Sequence, residues 1–109
     1  MQRIDADDRR DVIAIAQRVL SGELDPLLGC RLMVRGHRHL LESIDPSLVT
    51  LVGIESETDH LPLGNERVEW DTTALAAKDK EKVQYLSVYG NDIVTACRFL
   101  VSALGERAM

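Results

Sequence analysis

The first apolar pattern of the chain recurs at three- and four-residue spacing, which indicates one buried face of a helix. Aspartates precede the pattern and Gly22 follows it. Carboxylates favour the positive end of a helix dipole, and glycine accepts the left-handed conformation of a helix C-terminus. We therefore predict a helix over about Ala6–Ser21. Its apolar members are Val12, Ile13, Ile15, Ala16, Val19 and Leu20.

A second helix is predicted after Asp25-Pro26, because aspartate is a favoured N-cap and proline is favoured at the first helical position. Apolar residues at helical spacing follow this pair. Gly29 and Gly36 weaken the helix by about 1 kcal/mol each relative to alanine, although glycine also lets another helix approach closely. We expect the helix to run from Pro26 to about Glu42.

The run Leu48–Ile54 has a pattern that fits both helix and strand. Its β-branched residues favour a strand. The preceding Asp45-Pro46 pair and the three- and four-residue spacing of its apolar side chains favour a helix. A strand needs a partner, and no other segment of the sequence has a strand pattern. We therefore predict a helix.

A long final helix is predicted after Asp71, which is followed by two threonines and has the character of an N-cap. The apolar stripe behind it reaches Leu104, which indicates about thirty helical residues. Gly90 on this stripe is a candidate kink or close-packing point. Four helices with short connections predict an all-α fold, a four-helix up-and-down bundle with a long C-terminal helix, in a single helical domain of residues 1–109.

The formal net charge of −5 narrows the classes of partner. An acidic surface repels phosphate backbones, so we expect no nucleic-acid partner, whereas a basic protein partner is favoured. The N-terminal residues are charged and lack the apolar stretch of a secretion signal, and no uncharged run is long enough to cross a bilayer. We therefore expect a cytoplasmic protein with no membrane partner.

The two cysteines, Cys30 and Cys97, lie far apart within apolar helical segments. They have no CxxC spacing and too few companion ligands for a structural zinc site. We expect two reduced thiols that pack as small hydrophobic side chains.

The most unusual stretch groups carboxylate, hydroxyl and imidazole side chains: Glu55, Glu57, Thr58, Asp59 and His60. On a helix, Glu55 and Asp59 would share one face, and Glu57 and His60 would share another. Carboxylates grouped with an imidazole bind divalent metal ions or perform acid–base chemistry. All of these residues except Thr58 are therefore candidate metal ligands.

A structural interpretation of the same stretch competes with the metal site. The second predicted helix carries Arg31, Arg35 and Arg38 at four- and three-residue spacing, a basic stripe suited to pairing with the acidic cluster. Polar residues at a helix end also cap it and hold turns. Together with Trp70, the acidic cluster and the arginine stripe form either a structural polar network or a partner-binding surface.

Asp79 falls on the apolar stripe of the final helix, where a carboxylate needs a partner. We expect that partner to be an arginine or a helix terminus, with Arg35 and Arg38 as candidates. Trp70 directly precedes the predicted cap of that helix, so we expect it to join the core as a hydrophobic staple against Leu75 or a neighbouring residue.

The sequence contains no nucleophile elbow, phosphate-binding loop, dinucleotide-binding glycine pattern, zinc-protease motif or EF-hand. It therefore indicates no catalytic residue and no cofactor. Whether the protein is an enzyme stays open, with a non-enzymatic role favoured.

Residues 56–64 read SETDHLPLG, and Trp70 follows them. This pattern resembles a motif of a family of small uncharacterised bacterial proteins, in which an apolar residue stands between Pro and Gly and a Trp comes a few residues later. Segments like Val19–Leu24 and Ala96–Arg98 are similar as well, so the resemblance extends over most of the chain. It implies a shared fold and no particular reaction.

Three functional hypotheses follow. The first is a non-enzymatic protein-binding module, such as an immunity protein that neutralises a toxin, whose acidic surface would speed capture of a cationic partner. The alternative is a small metal-binding protein or metal-dependent enzyme that uses the cluster between Glu55 and His60. The third is a homodimer formed by the final helix through Gly90. Tyr85 and Tyr89 share a helix face and are candidate interface residues.

Overall fold

The computed structural model describes residues 6–105, which form four α-helices and two short 3₁₀ turns and contain no strand. The helices are α1 (Ala6–Leu20), α2 (Pro26–Ile44), α3 (Val49–Glu57) and α4 (Thr72–Gly105). The 3₁₀ turns are Pro46–Leu48, before α3, and Gly64–Glu69, before α4. Consecutive helices pack against one another, and α1 packs most extensively against α4. The predicted all-α bundle with a long final helix is confirmed.

Aspartate side chains start α2, α4 and the 3₁₀ turn that leads into α3. Asp25 accepts a hydrogen bond from the backbone N–H of Leu28 at 2.9 Å. Asp45 and Asp71 each accept one from the backbone N–H two residues on, at 2.8 and 2.9 Å. These bonds satisfy N–H groups that have no partner within their own helix, so the predicted start signals are confirmed.

The ambiguous run Leu48–Ile54 is helical, as predicted. Leu48 closes the 3₁₀ turn, and the remaining residues belong to α3. Leu51 and Ile54 are buried, which gives the short helix an apolar side facing the core. Burial of that side decides between helix and strand where local propensity does not.

The first two helices approach each other closely at Gly29. A Cβ atom on this residue would lie 2.3 Å from Cγ2 of Val19, so a larger side chain would push α1 and α2 apart. The connection before it turns at Gly22, whose φ of +83° confirms the predicted glycine C-cap. The backbone N–H of Leu24 then donates to the carbonyl of Arg18 at 3.0 Å.

Helix α2 is interrupted at His37, whereas the sequence predicts a continuous helix. His37 has φ −139° and ψ 32°, and the preceding Gly36 lowers the cost of leaving the helical conformation. The His37 imidazole lies between two carboxylates of α1, with Nε2 3.0 Å from Asp11 and Nδ1 3.4 Å from Asp8. These contacts hold the interrupted part of α2 against α1.

Side chains from all four helices form one buried cluster. The buried residues of α4 are Ile93, Cys97, Leu100 and Leu104, whereas none of residues 72–92 is buried. With 34 residues, α4 is about 51 Å long, roughly twice the length of α1. The fully buried side chains of α4 therefore all lie in its C-terminal half, whereas Tyr85 and Leu86 pack partly buried against the core. Within residues 6–105, no helix combines the length and the apolar character needed to cross a membrane.

Candidate functional site

A buried arginine holds the connection between α3 and α4. Arg31 lies on α2, and only 8% of its side chain is exposed. Its Nη2 donates to the carbonyls of Thr58 at 2.7 Å and Leu61 at 3.0 Å, and its Nη1 donates to Oε1 of Glu66 at 2.9 Å. A buried guanidinium needs such partners, because an unpaired charge is costly to bury. Arg31 therefore fixes this connection against α2.

Short-range bonds order the same connection, which carries the SETDHLPLG motif. Oγ1 of Thr58 donates to the carbonyl of Ile54 at 2.7 Å at the C-terminus of α3. Oε1 of Glu66 accepts from the backbone N–H of Leu63 at 2.7 Å. This N–H, and then the Arg31 guanidinium, hold the pKa of Glu66 below its ordinary value. The motif residues thus form a well-bonded crossing from α3 to α4.

Ion pairs attach the N-terminal half of α4 to neighbouring segments. Arg67 donates to both carboxylate oxygens of Asp79, at 2.7 and 2.9 Å. These bonds lower the pKa of Asp79 and raise the pKa of Arg67. Further along α4, Nζ of Lys82 lies 2.6 Å from Oδ1 of Asp25, the N-cap of α2. Side-chain charges therefore hold α4 where the core does not reach it.

Asp79 pairs with an arginine, as predicted, but the candidates Arg35 and Arg38 are wrong, because both lie on the exposed side of α2. Arg35 contacts Glu55 at 3.4 Å, and Arg38 contacts a glutamate of its own helix at 3.4 Å. Arg67 reaches Asp79 from the 3₁₀ turn before α4. The sequence pattern shows only a loop around Arg67 and so gives no indication of this partner.

The candidate metal ligands point to different partners. Glu55 faces Arg35, Glu57 accepts a hydrogen bond from the Tyr85 hydroxyl at 2.8 Å, and His60 bonds to Glu81 on α4. The bond from His60 lowers the pKa of Glu81. Within residues 6–105, no group of three or more His, Cys, Asp or Glu side chains is placed to share a metal ion. The geometry that the metal hypothesis requires is therefore not met in this part of the chain.

Two further predicted site residues lie at the surface. Asp59 is exposed and forms no ion pair with a described residue. Trp70 is 36% exposed and does not belong to the buried cluster, so its predicted place in the core is wrong. Its backbone is extended at the end of the 3₁₀ turn, where its N–H donates to the carbonyl of Arg67 at 3.2 Å. This position leaves the indole at the border of the bundle.

The two cysteines are buried and form no disulfide bond, as predicted. Sγ of Cys30 donates to the carbonyl of Leu51 at 3.2 Å. Burial raises the pKa of Cys30 to about 12 and that of Cys97 to about 11. Both thiols therefore stay protonated at neutral pH and are poor nucleophiles.

A cavity of about 310 Å³ opens between the start of α3 and the C-terminal half of α4. Phe99 is 39% exposed and contributes an aromatic wall. Asp92, on the same lining, places a carboxylate beside it. The lining residues are Ser47, Leu48, Thr50, Asp92, Thr95, Ala96 and Phe99.

A pair of tyrosines marks a second place where α4 meets α3, about two helical turns before the cavity residues of α4. Here the Tyr85 hydroxyl donates to Glu57, and the Tyr85 and Tyr89 ring centroids are 4.6 Å apart. We call the exposed face of α4 from Tyr85 to Phe99, with Glu57 of α3 at one end and the cavity at the start of α3 at the other, the α3–α4 groove.

Carboxylates without a basic partner border the α3–α4 groove. Within residues 6–105, neither Glu57 nor Asp92 forms an ion pair. Asp45 stands next to the cavity, and the backbone N–H of Ser47 holds the pKa of Asp45 below its ordinary value. Among the residues that the structure describes, no lysine or arginine lines the cavity. The groove is therefore both partly apolar and negatively charged.

The sequence contained a signal for this groove that the predictions did not use fully. Tyr85, Tyr89, Asp92, Ala96 and Phe99 follow one another at steps of four, three, four and three residues. This is a second helical stripe, beside the stripe that is buried in the core. Of this stripe, only Tyr85 and Tyr89 were predicted as interface residues.

A second cavity of about 310 Å³ lies beside the N-terminal half of α4. Its charged lining residues already pair with one another, Arg67 with Asp79 and Lys82 with Asp25. A charged ligand would have to break one of these pairs. The remaining lining residues are Leu63, Gly64 and Val83.

Comparison with protein-family models, with curated proteins and with solved structures gives no match to this chain. The resemblance to a small bacterial family therefore stays a prediction.

Proposed function

We propose that the protein is a non-enzymatic binding module that captures a basic protein in the cytoplasm, as an immunity protein captures a toxin. The observation that carries this proposal is the α3–α4 groove, where exposed aromatic side chains lie beside carboxylates that have no basic partner. Aromatic residues supply much of the binding energy in protein interfaces.

The apolar part of the groove supports a protein partner. Val88, Tyr89 and Phe99 are exposed on α4, Val88 by 66%. Val88 precedes Asp92 by four residues and Phe99 by eleven, a helical spacing that places it on the face of α4 that forms the groove. Single exposed apolar residues are ordinary, but several along one helix face indicate an interaction surface. Covering these side chains would remove apolar area from water, which favours association.

The charge of the chain supports a basic partner. The net charge of −5 attracts cationic surfaces over several ångströms and raises the rate of encounter. Since neither Glu57 nor Asp92 forms an ion pair with any of residues 6–105, a partner can pair with both without displacing an ion pair of that part of the chain. Association should therefore slow as salt concentration rises.

Affinity capture with the tagged full chain, from a lysate of its source cells, tests the proposal. The wild type is compared with Val88→Asp, in the groove, and with Val83→Asp, an equally exposed valine of α4 outside it. We expect one basic protein in stoichiometric amount with the wild type and Val83→Asp, and its loss with Val88→Asp. Recovery of no such protein, or equal recovery with both variants, would contradict the proposal.

A further inference from the structure

We infer that the α3–α4 groove receives a basic amphipathic helix of the partner, with one apolar side chain in the cavity beside Phe99. Lysine or arginine side chains of that helix would face Asp92 and Glu57. This inference rests on the proposed function and goes beyond it by naming the segment that binds and the residues that receive it.

The length of the groove suits a helix. From Tyr85 to Phe99 there are 14 residue steps on α4, which is about 21 Å along the helix axis. A partner helix of about four turns covers the same distance. Helices that bind in grooves present apolar side chains at positions i, i+3 or i+4, and i+7. The cavity and the tyrosine pair would contact such side chains at the two ends of the groove.

The cavity suits one apolar side chain with a cation next to it. Leu48, Ala96 and Phe99 supply apolar lining, and a volume of about 310 Å³ exceeds that of a leucine or phenylalanine side chain. Asp92 belongs to the same lining, so a lysine one helical turn from the buried side chain reaches a carboxylate. Neutral polar lining comes from Ser47, Thr50 and Thr95.

Charge complementarity selects a basic helix over a second copy of the chain. Two copies carry a net charge of −5 each, and a self-contact through this groove would bring Glu57, Asp92 and Asp45 towards like charges. Unpaired like charges in an interface oppose association. The same carboxylates repel the phosphates of nucleic acids and anionic lipids. A basic helix is the occupant that neutralises them.

Titration of the full chain with synthetic helical peptides tests the inference. The probe is an 18-residue peptide with leucine repeated at positions i, i+4 and i+7 and lysine at most other positions. Two matched control peptides replace the lysines by glutamate or the leucines by serine. We expect only the leucine–lysine peptide to bind. Calorimetry measures its affinity, and chemical-shift changes in α3 and α4 locate the binding site. Phe99→Ala should weaken it about tenfold, and Asp92→Asn should weaken it with a flatter salt dependence.

Two controls make the result specific. Val83→Ala removes an exposed valine of α4 outside the groove, and Glu69→Gln removes an exposed carboxylate from the 3₁₀ turn before α4. Both should bind the peptide as the wild type does. Circular dichroism confirms that the substituted chains fold; the altered side chains are at least partly exposed, so folding should be retained.

Three outcomes would overturn the inference. The first is that the leucine–lysine peptide does not bind. The second is that it binds equally to Phe99→Ala, which would mean attraction by surface charge alone. The third is that light scattering shows a dimer that Phe99→Ala dissociates, which would mean that a second copy occupies the groove. If the captured protein partner is lost with Val88→Asp while the peptide fails to bind, the proposed function stands and only the helical occupant is wrong. If no partner is captured, the proposed function fails whatever the peptide does.

Discussion

The two halves of α4 are held to the molecule in different ways. In the C-terminal half, Ile93, Cys97, Leu100 and Leu104 are buried in the core. In the N-terminal half, residues 72–92, no side chain is fully buried. Tyr85 and Leu86 pack partly buried against the core, and ion pairs and hydrogen bonds join this half to α2, α3 and the connection between α3 and α4. One continuous helix thus passes from an apolar environment to a polar one.

Because of this difference, the two halves of α4 should contribute unequally to the stability of the fold and to the orientation of the helix. Burying a leucine or isoleucine side chain contributes about 1.5–3 kcal/mol, whereas a partly exposed ion pair contributes about 1 kcal/mol or less. The C-terminal half should therefore account for most of the contribution of α4 to the free energy of unfolding. The polar contacts should set the direction of the N-terminal half and respond to salt and pH.

The largest expected effect is that of Leu100→Ala. Leu100 is fully buried in the C-terminal half, so its truncation should lower the free energy of unfolding by about 3 kcal/mol. Urea denaturation followed by circular dichroism measures the change. Val88→Ala, at an exposed position of the same helix, should alter stability by no more than about 0.5 kcal/mol. Similar losses for both variants would contradict the distinction between core and surface.

Arg31→Met should rank second, because Arg31 holds the segment on which the polar half of α4 rests. The substitution keeps an apolar stem but removes the donors to the carbonyls of Thr58 and Leu61. We expect a loss of about 2–3 kcal/mol in urea denaturation. Arg38→Met, which removes an exposed arginine, is the matched control and should have little effect. Equal stability of the two variants would show that the buried bonds of Arg31 are dispensable.

Two substitutions of Asp25 distinguish the contribution of a helix cap from that of an ion pair, because its carboxylate both caps α2 and contacts Lys82. Asp25→Ala removes both interactions and should cost about 1–2 kcal/mol. Asp25→Asn keeps a capping side chain and should cost about 0.5 kcal/mol. Thermal unfolding of the two variants distinguishes the contributions; a larger loss for Asp25→Asn than for Asp25→Ala would exclude this assignment.

Acid should loosen the N-terminal half of α4 before it affects the C-terminal half. The pKa values of Asp79 and Glu81 are lowered by Arg67 and His60 respectively. Groups with a lowered pKa stabilise the folded state above their unfolded pKa values near 4, and lose that effect as the pH falls through the folded values. Hydrogen exchange below pH 4, corrected for the intrinsic rate, should show lost protection in residues 78–86 first. Uniform loss along α4 would argue against two separately held halves.

The helices could be predicted from the sequence because their signals are local. Asp25, Asp71 and Gly22 act on neighbouring backbone groups, so their roles follow from positions along the chain. The interruption at His37 was missed because it depends on carboxylates of α1 that become neighbours only after packing.

The candidate site was harder to predict because its partners come from distant segments. The acidic cluster and the arginine stripe suggested mutual pairing, yet only Glu55 and Arg35 pair in this way. Arg31 binds mainly backbone carbonyls, which carry no sequence signature. Phe99 was overlooked because a groove depends on how far apart two helices lie, and spacing within one helix does not give that distance.

The packing of α1 on α4 has a consequence for the order of events during synthesis. Helix α1 leaves the ribosome first, but the buried side chains of its most extensive partner lie at residues 93–104, so most of the chain must emerge before the two can meet. Closing so long a loop carries an entropic cost that later contacts must offset. Until then α1 can pack on α2, at Gly29 and Val19, and α2 can pack on α3, so the apolar face that α1 later turns to α4 stays open to chaperones.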